Sequence, residues 1–364
     1  MPVQLKRNAN GTFTVSTVSW DEAQVGDTVE DGSNPRPSFV GKTINKMLFY
    51  RNRLVMLSDE NVIMSRPGDF FNFWSKTAIT FTATDPIDLS CSSEYPAIVY
   101  DGIQVNAGLV LFTKNQQFML TTDSDVLSPQ TAKINAIASY NFNHKTNPIS
   151  LGTTIAFLDN ANKFSRFFEM ARVLREGEPE VVEQSKVVSS LLAKNLTLVA
   201  NSRENSVIFF ATKGGTKIQG FRYFTSSEKR LLQAWFEWDV VGEIQYMCML
   251  DDALYVVYRN NSKDQLLRFP IRLDDSGLFA TDTKGTASTD DDVVYLVHLD
   301  NAKTVTPSVT YNAATNTSTF TKPTGFERTT DLCAFDADFS NNSVSYTHLR
   351  AHETKANLVC RLMR

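Results

Sequence analysis

Five stretches carry one design: Arg53-LVMLSDENVIMS-Arg66, Leu109-VLFTKNQQFML-Thr121, Thr154-IAFLDNANKFSRFF-Glu169, Ser206-VIFFATKGGTKIQGF-Arg222 and Ala253-LYVVYRNNSKDQLLRF-Pro270. Each is an apolar, β-branched or aromatic run, a turn rich in Asp, Asn, Lys or Gly, and a second such run. Measured from Leu54, Val110, Ile155, Val207 and Leu254, the units are spaced by 56, 45, 52 and 47 residues. That loose period is close to the roughly 40–50 residues of a four-stranded propeller blade. A small antiparallel sheet cannot bury both of its faces alone, whereas sheets packed side by side bury each other. The expected fold is therefore all-β, a propeller-like array of antiparallel blades. A β-sandwich or a series of meanders is the competing reading and would show such units at shorter spacing.

Working outward, Val3-Gln4-Leu5-Lys6-Arg7 and Thr12-Phe13-Thr14-Val15-Ser16 flank Asn10-Gly11, a strong hairpin signal. The Asp, Gly and Pro-rich run from Gly26 to Pro37 reads as a linker or long loop. Between the third and fourth units, Glu178 to Lys194 is the best candidate for a short helix, with Val181, Val188, Leu191 and Leu192 among polar residues. After Leu273 the chain turns to Ser, Thr, Asp and Asn with isolated β-branched runs, such as Val293 to Val297. The organisation expected is an N-terminal hairpin and linker over 1–43, a propeller-like β domain over 44–273, a truncated second β region over 274–343 and a non-native tail over 344–364.

The chain has 364 residues, 42% hydrophobic and 21% charged, with a formal net charge of −4 and a pI near 5.7. This excludes disordered, collagen-like and disulfide-dense classes. No apolar run of membrane-spanning length occurs and Met1 to Arg7 is not followed by an apolar signal core, so the chain reads as soluble and unexported. An acidic balance argues against a basic grip on nucleic acid. Cys91, Cys248, Cys333 and Cys360 are far apart, form no C-x-x-C pair, and read as reduced structural thiols.

Few motifs offer chemistry. Gly41-Lys42-Thr43 resembles the end of a phosphate-binding loop, but Arg36 stands where its first glycine must be. Asp59-Glu60, Asp251-Asp252 and Asp290-Asp291-Asp292 fall in turns, where Asp is favoured by local hydrogen bonding. His144 and His298 sit in no nucleophile motif. His348 and His352 have the spacing of a helical metal pair, but they lie in the tail considered below. No catalytic, cofactor-binding or metal-binding residue is assigned, and no cofactor is expected. Arg51, Arg53 and Arg66 lie close in sequence to Asp59, Glu60 and Asp69, which suggests inter-strand ion pairs. Trp235 and Trp238 look exposed and, with the acidic turns, motivate an alternative as a cell-surface polysaccharide depolymerase with paired carboxyls in a groove. A third class is a monomeric carbohydrate- or receptor-binding propeller.

One segment is specific in order and spacing. Phe49-Tyr50-Arg51-Asn52-Arg53-Leu54, then Ser58 through Pro67-Gly68-Asp69-Phe70-Phe71-Asn72-Phe73-Trp74, then Asp85-Pro86-Ile87-Asp88, resembles tail tubular protein B, the nozzle family of short-tailed bacteriophages. Pro37-Ser38-Phe39-Val40-Gly41 and Gln233 to Trp238 extend the resemblance over most of residues 1 to about 325. It implies a structural virion protein, made in the host cytoplasm and built into the viral tail. It further implies a hexameric ring docked on the tail tubular protein A adaptor, in contact with tail fibres, through which double-stranded DNA passes. No membrane-spanning segment and no enzymatic activity are expected. Family members are longer at both ends, so Met1 reads as an internal methionine. Read from its residues alone, the signature is architectural: Pro67-Gly68 turns the chain, Asp69 and Asn72 can bond nearby backbone, and the aromatics offer apolar area.

Val344-Ser-Tyr-Thr-His-Leu-Arg-Ala-His-Glu-Thr354 resembles one reading frame of a transposase-type sequencing-library adapter, and Lys355 to Leu362 fit its continuation. The natural sequence is expected to stop near Ser343; without 344–364 the net charge becomes −7, and the metal-like histidine pair disappears. Resequencing the coding region across Ser343 and Val344 is expected to replace this tail. A contiguous genome that encodes the same residues would overturn that expectation.

Overall fold

The computed structural model describes residues 2–271 except 31, 92–95, 162, 175–176, 227–228, 241 and 261. Beyond 271 it describes the strands named below and residue 314. The chain divides into two compact units, Met1–Arg272 and Leu273–Arg364.

In the first unit the alternating apolar runs form consecutive antiparallel sheets, as the all-β expectation requires. Sheet I contains β3 (Ile44–Tyr50), β4 (Arg53–Ser58), β5 (Asn61–Met64) and β6 (Ile87–Ser90). Sheet II contains β7 (Val99–Val105), β8 (Gly108–Thr113), β9 (Gln117–Thr122) and β10 (Ala132–Ala138). Sheet III contains β11 (Ile149–Ser150), β12 (Ile155–Asn160), β13 (Ser165–Ala171) and β14 (Glu180–Glu183). Sheet IV contains β15 (Leu198–Ser202), β16 (Val207–Ala211), β17 (Lys217–Ser226) and β18 (Lys229–Asp239), and sheet V contains β19 (Glu243–Leu250), β20 (Ala253–Asn260) and β21 (Lys263–Pro270). Each sheet is an up-and-down meander in chain order. The five quoted stretches are the hairpins of its second and third strands.

The two-residue period of a strand decides which neighbour each side chain meets. In β8, Leu109 and Leu111 pack toward sheet I with Val55, Leu57, Val62 and Met64, while Val110 and Phe112 pack toward sheet III with Phe157 and Phe168. In sheet III, Ala156, Leu158 and Phe167 turn the other way, against Phe210 and Phe221 of sheet IV. Val207, Phe209 and Ala211 of β16 then meet Leu254, Val256 and Tyr258 of sheet V. Every residue of β4, β8, β9 and β16 is buried. The far face of sheet V exposes Tyr246, Leu250 and Leu266. At the other end of the series, Leu54, Met56 and Ile63 of sheet I are covered by Phe39 and Phe73, with Trp20 and Phe70 against them.

The hairpin of β1 (Val3–Arg7) and β2 (Phe13–Thr17) forms with Leu5 opposite Val15, and all ten of its strand residues are exposed. The helix expected over Glu178 to Lys194 does not form. Its start is β14, paired with β13 through Val181 and Met170, and a 3₁₀ turn follows at Gln184–Val188. Backbone pairing to an existing sheet outweighs a weak helical period.

In the second unit β22 (Phe279–Asp282) pairs with β23 (Val293–Leu296), and β25 (Thr310–Asn312) with β26 (Thr317–Thr319). There β28 (Leu358–Leu362) lies between β24 (Asn301–Thr304) and β27 (Leu332–Asp336). His298, Asp290 to Asp292, and residues 344–357 with both tail histidines lie outside the described residues.

The one charged side chain buried in the strands of sheet I, among the described residues, is Arg53, whose residue is 2% exposed. Its guanidinium donates to Ser65 O at 2.8 Å, Asp85 O at 2.7 Å, Ala83 O at 3.0 Å and Leu127 O at 3.3 Å, tying β4 to the 65–86 loop and to sheet II. Burial lowers the Arg53 pKa, with the Asp85 charge opposing that shift. Arg53→Met would leave buried carbonyls unpaired, and a loss of about 3 kcal/mol is expected. Equilibrium urea unfolding of the first unit's transition would measure it.

Candidate functional site

The signature between Phe49 and Asp88 folds as a cover, not as a catalytic cleft. Arg51 and Asn52 occupy left-handed backbone positions (φ 45° and 59°) in the β3–β4 turn, and Asn52 O accepts from Gly68 N at 2.8 Å. The Asp85 carboxylate accepts from Lys76 N at 3.0 Å and Thr82 N at 2.7 Å, which shapes the loop around Arg53. Asn72 Oδ1 accepts from Trp74 N at 3.0 Å, and Trp74 Nε1 donates to Asp21 O at 2.8 Å. Phe73 packs edge-on against Phe39 at 5.1 Å, Phe71 against Trp20 at 5.6 Å and Phe70 against Phe49 at 5.2 Å. These rings close the outer face of sheet I.

The ion pairs expected among the signature residues do not form. Asp59 pairs with Lys42 at 3.2 Å, while Arg51 donates to Asp125 O at 3.3 Å and lies over the Tyr50 ring. For Arg51 and Arg53 against Asp59 and Glu60 the reason is antiparallel geometry. The β3–β4 and β4–β5 turns sit at opposite ends of a six-residue strand, about 20 Å apart at ~3.3 Å per residue. Lys42, the residue that resembled a phosphate-binding lysine, is the partner of Asp59.

A polar concavity with a volume of about 980 Å³ lies between sheets III and IV. Thr154, Glu169, Glu180, Arg203, Tyr223 and Arg230 are in its wall. Glu169 is the only strongly buried acid among them, and both of its oxygens are occupied. Arg230 grips it in bidentate fashion at 2.6 and 2.8 Å, Thr154 Oγ1 donates at 2.7 Å and Gln184 Nε2 at 2.9 Å. Arg230 also lies over the Tyr223 ring at 5.3 Å, and burial raises the Tyr223 pKa. Glu180 is paired with Arg172 at 3.6 Å. Four protein donors occupy the two oxygens of this carboxylate, so it presents no free lone pair for glycoside chemistry.

The other candidates are structural. Asp59-Glu60 and Asp251-Asp252 occupy the β4–β5 and β19–β20 turns, with Asp59 and Asp251 in left-handed conformations. Trp235 and Trp238 are not exposed platforms. Trp235 packs on Phe221 at 4.5 Å and on Phe167, and Trp238 on Phe209 at 5.3 Å and Phe269 at 5.6 Å. Strand β18 turns Trp235 toward sheet III and Phe236 and Trp238 toward sheet V, while Gln233, Glu237 and Asp239 are exposed. His144 stacks on Tyr100 at 4.6 Å; burial and the neighbouring Lys145 and Lys114 hold its pKa below the ordinary value. Burial, with Glu60 nearby, pushes the Cys91 thiol up to about 12, an unreactive state. Among the described residues no group of three or more His, Cys, Asp or Glu is placed to hold a metal, and no helix is long and apolar enough to cross a membrane. Sequence reasoning missed the Glu169–Arg230 pair because its partners are 61 residues apart and meet only when the sheets pack.

Glu169→Ala would leave Arg230 partly buried and unpaired, and a destabilisation of about 3 kcal/mol is expected. Chemical denaturation of the single and double variants would measure the coupling between the two residues.

Residues 1–358 match the family described as bacteriophage nozzle protein. The chain is 26% identical over 332 residues to the tail tubular protein gp12 of Escherichia phage T7, covering 89% of this chain and 39% of that protein. It therefore spans about two fifths of the length of that relative. Among solved structures, Kluyveromyces lactis Hsv2p aligns with a TM-score of 0.39 and 13% identity over 64% of this chain and 63% of that one. PorZ of Porphyromonas gingivalis aligns with a TM-score of 0.33 and 12% identity over 67% and 28%.

Proposed function

Because the chain belongs to the bacteriophage nozzle protein family, we propose that this structural component of the phage tail contributes wall to the conduit through which DNA leaves the virion. The match over residues 1–358 carries this reading. The stacked sheets fit it physically. Polar groups that reach the interior, such as Arg53 and Glu169, are satisfied by carbonyls and ion pairs, which suits a rigid wall. In this reading the five sheets are successive propeller blades and the subunits form a ring, a hexamer in the expectation above. The ring docks on the adaptor and contacts the tail fibres. The subunit needs no catalysis of its own. The path for DNA is acidic or neutral, because a wall of Lys and Arg would hold the phosphates in place.

The depolymerase alternative lacks the free carboxyl pair that it needs in the groove of Glu169. Antibodies raised against residues 1–272 are expected to label the distal end of the tail in electron micrographs of intact virions. Label confined to the capsid, or absent from purified virions, would overturn the proposal.

A further inference from the structure

The up-and-down order of each sheet sorts its loops between two ends. Links between first and second strands, and between third and fourth, leave from one end. Links between second and third strands, and from a fourth strand to the next sheet, leave from the other. Hydrogen bonds hold each set together. At one end Phe142 N donates to Lys114 O at 2.8 Å and Lys213 N to Thr197 Oγ1 at 2.8 Å. At the opposite end Asn205 Nδ2 donates to Asp252 Oδ1 at 3.1 Å.

Across sheets II to V these two ends differ in charge. The loops 114–116, 139–148, 161–164, 184–197, 212–216, 240–242 and 261–262 contain Lys114, Lys145, Lys163, Lys186, Lys194 and Lys213, and neither Asp nor Glu. All six lysines are exposed, and none makes an ion pair among the described residues. The described residues of the opposite loops carry Asp123, Asp125, Glu178, Glu204, Asp251 and Asp252 against Arg172 and Arg203. The loops of sheets II to V therefore differ in charge along the strand direction, with Asp239 and Glu243 exposed beside the 240–242 loop and Asp123 paired with Lys133.

We propose that the lysine end of sheets II to V docks on the acidic end of the same sheets in a neighbouring copy of this chain. The proposal rests on the reading above of the chain as a repeated subunit, and adds which surfaces meet. Two different patches of one chain that complement each other make a heterologous contact, which closes into a ring when the rotation between copies allows it and otherwise runs on as a filament. Duplex DNA would account for the lysines alone and leave the acidic end without a role. Opposed charge also fixes the direction of docking, since lysine on lysine is repulsive.

The test is sedimentation velocity of the full chain at about 50 mM and about 500 mM NaCl. Association at low salt that weakens by about tenfold or more at high salt is expected. The combined variant Lys145→Glu, Lys163→Glu and Lys213→Glu should be monomeric, as should the combined variant Asp125→Lys, Glu178→Lys and Glu204→Lys, and mixing the two should restore association. All six positions are exposed, so the folded structure is preserved; matching near-ultraviolet circular dichroism would verify that. Association unaffected by lysine reversal would overturn this docking while leaving a repeated subunit intact. Persistent monomers of the unaltered chain at low salt, or a monomeric mixture, would overturn it as well, and the virion label decides the nozzle reading separately. Lysine-dependent binding of a fluorescent duplex without self-association would assign that end to nucleic acid and overturn the proposal.

Discussion

The first unit depends on a single constraint: its middle strands are apolar on both faces. A strand such as β8, with Leu109 and Leu111 on one side and Val110 and Phe112 on the other, loses its driving force if either side stays wet. Each such side chain contributes about 1.5–3 kcal/mol when fully buried. A solitary sheet cannot supply two dry faces, so every sheet must be followed by another. The series I to V is the chain's answer, with each hydrophobic layer shared by consecutive sheets. At the end next to sheet I, the layer is completed by Trp20, Phe39 and the rings of the signature instead of by a strand.

Polar side chains become acceptable in such an interior only where the backbone or an opposite charge receives them. Arg53 is surrounded by four carbonyls, and Glu169 by a guanidinium, a hydroxyl and an amide. Both clusters sit between elements that are distant in sequence: Leu127 belongs to the loop after β9, and Arg230 to β18. They fix how neighbouring sheets sit on one another, which nonspecific apolar contact leaves loose. A structural tail component gains from that rigidity, whereas a catalytic groove would need some of these groups unpaired.

How legible the fold was depended on the range of the interaction. The hairpins at Asp59-Glu60, Lys114-Asn115 and Gly214-Gly215 could be read directly, because turn chemistry and the alternation around it are local. The same local reasoning failed for Arg53, whose neighbours in sequence include acids that the antiparallel turn carries to the far end of the strand. It failed for Trp235 and Trp238, since the alternation of β18 looks the same whether its second face meets water or another sheet. It failed for Glu178 to Lys194, where β13 offered backbone partners that no local pattern reveals.

What the sequence determined by itself was the all-β class, the period of the repeat, the positions of the hairpins and, through the order of residues from Phe49 to Asp88, the family. These follow from nearest-neighbour chemistry and from the two-residue period of a strand. Only the tertiary structure decided which face of each strand meets which sheet, where buried charges find their partners, and how the loops are sorted between a lysine end and an acidic end. Those outcomes depend on groups tens of residues apart, and burial brings them together only after the sheets have formed.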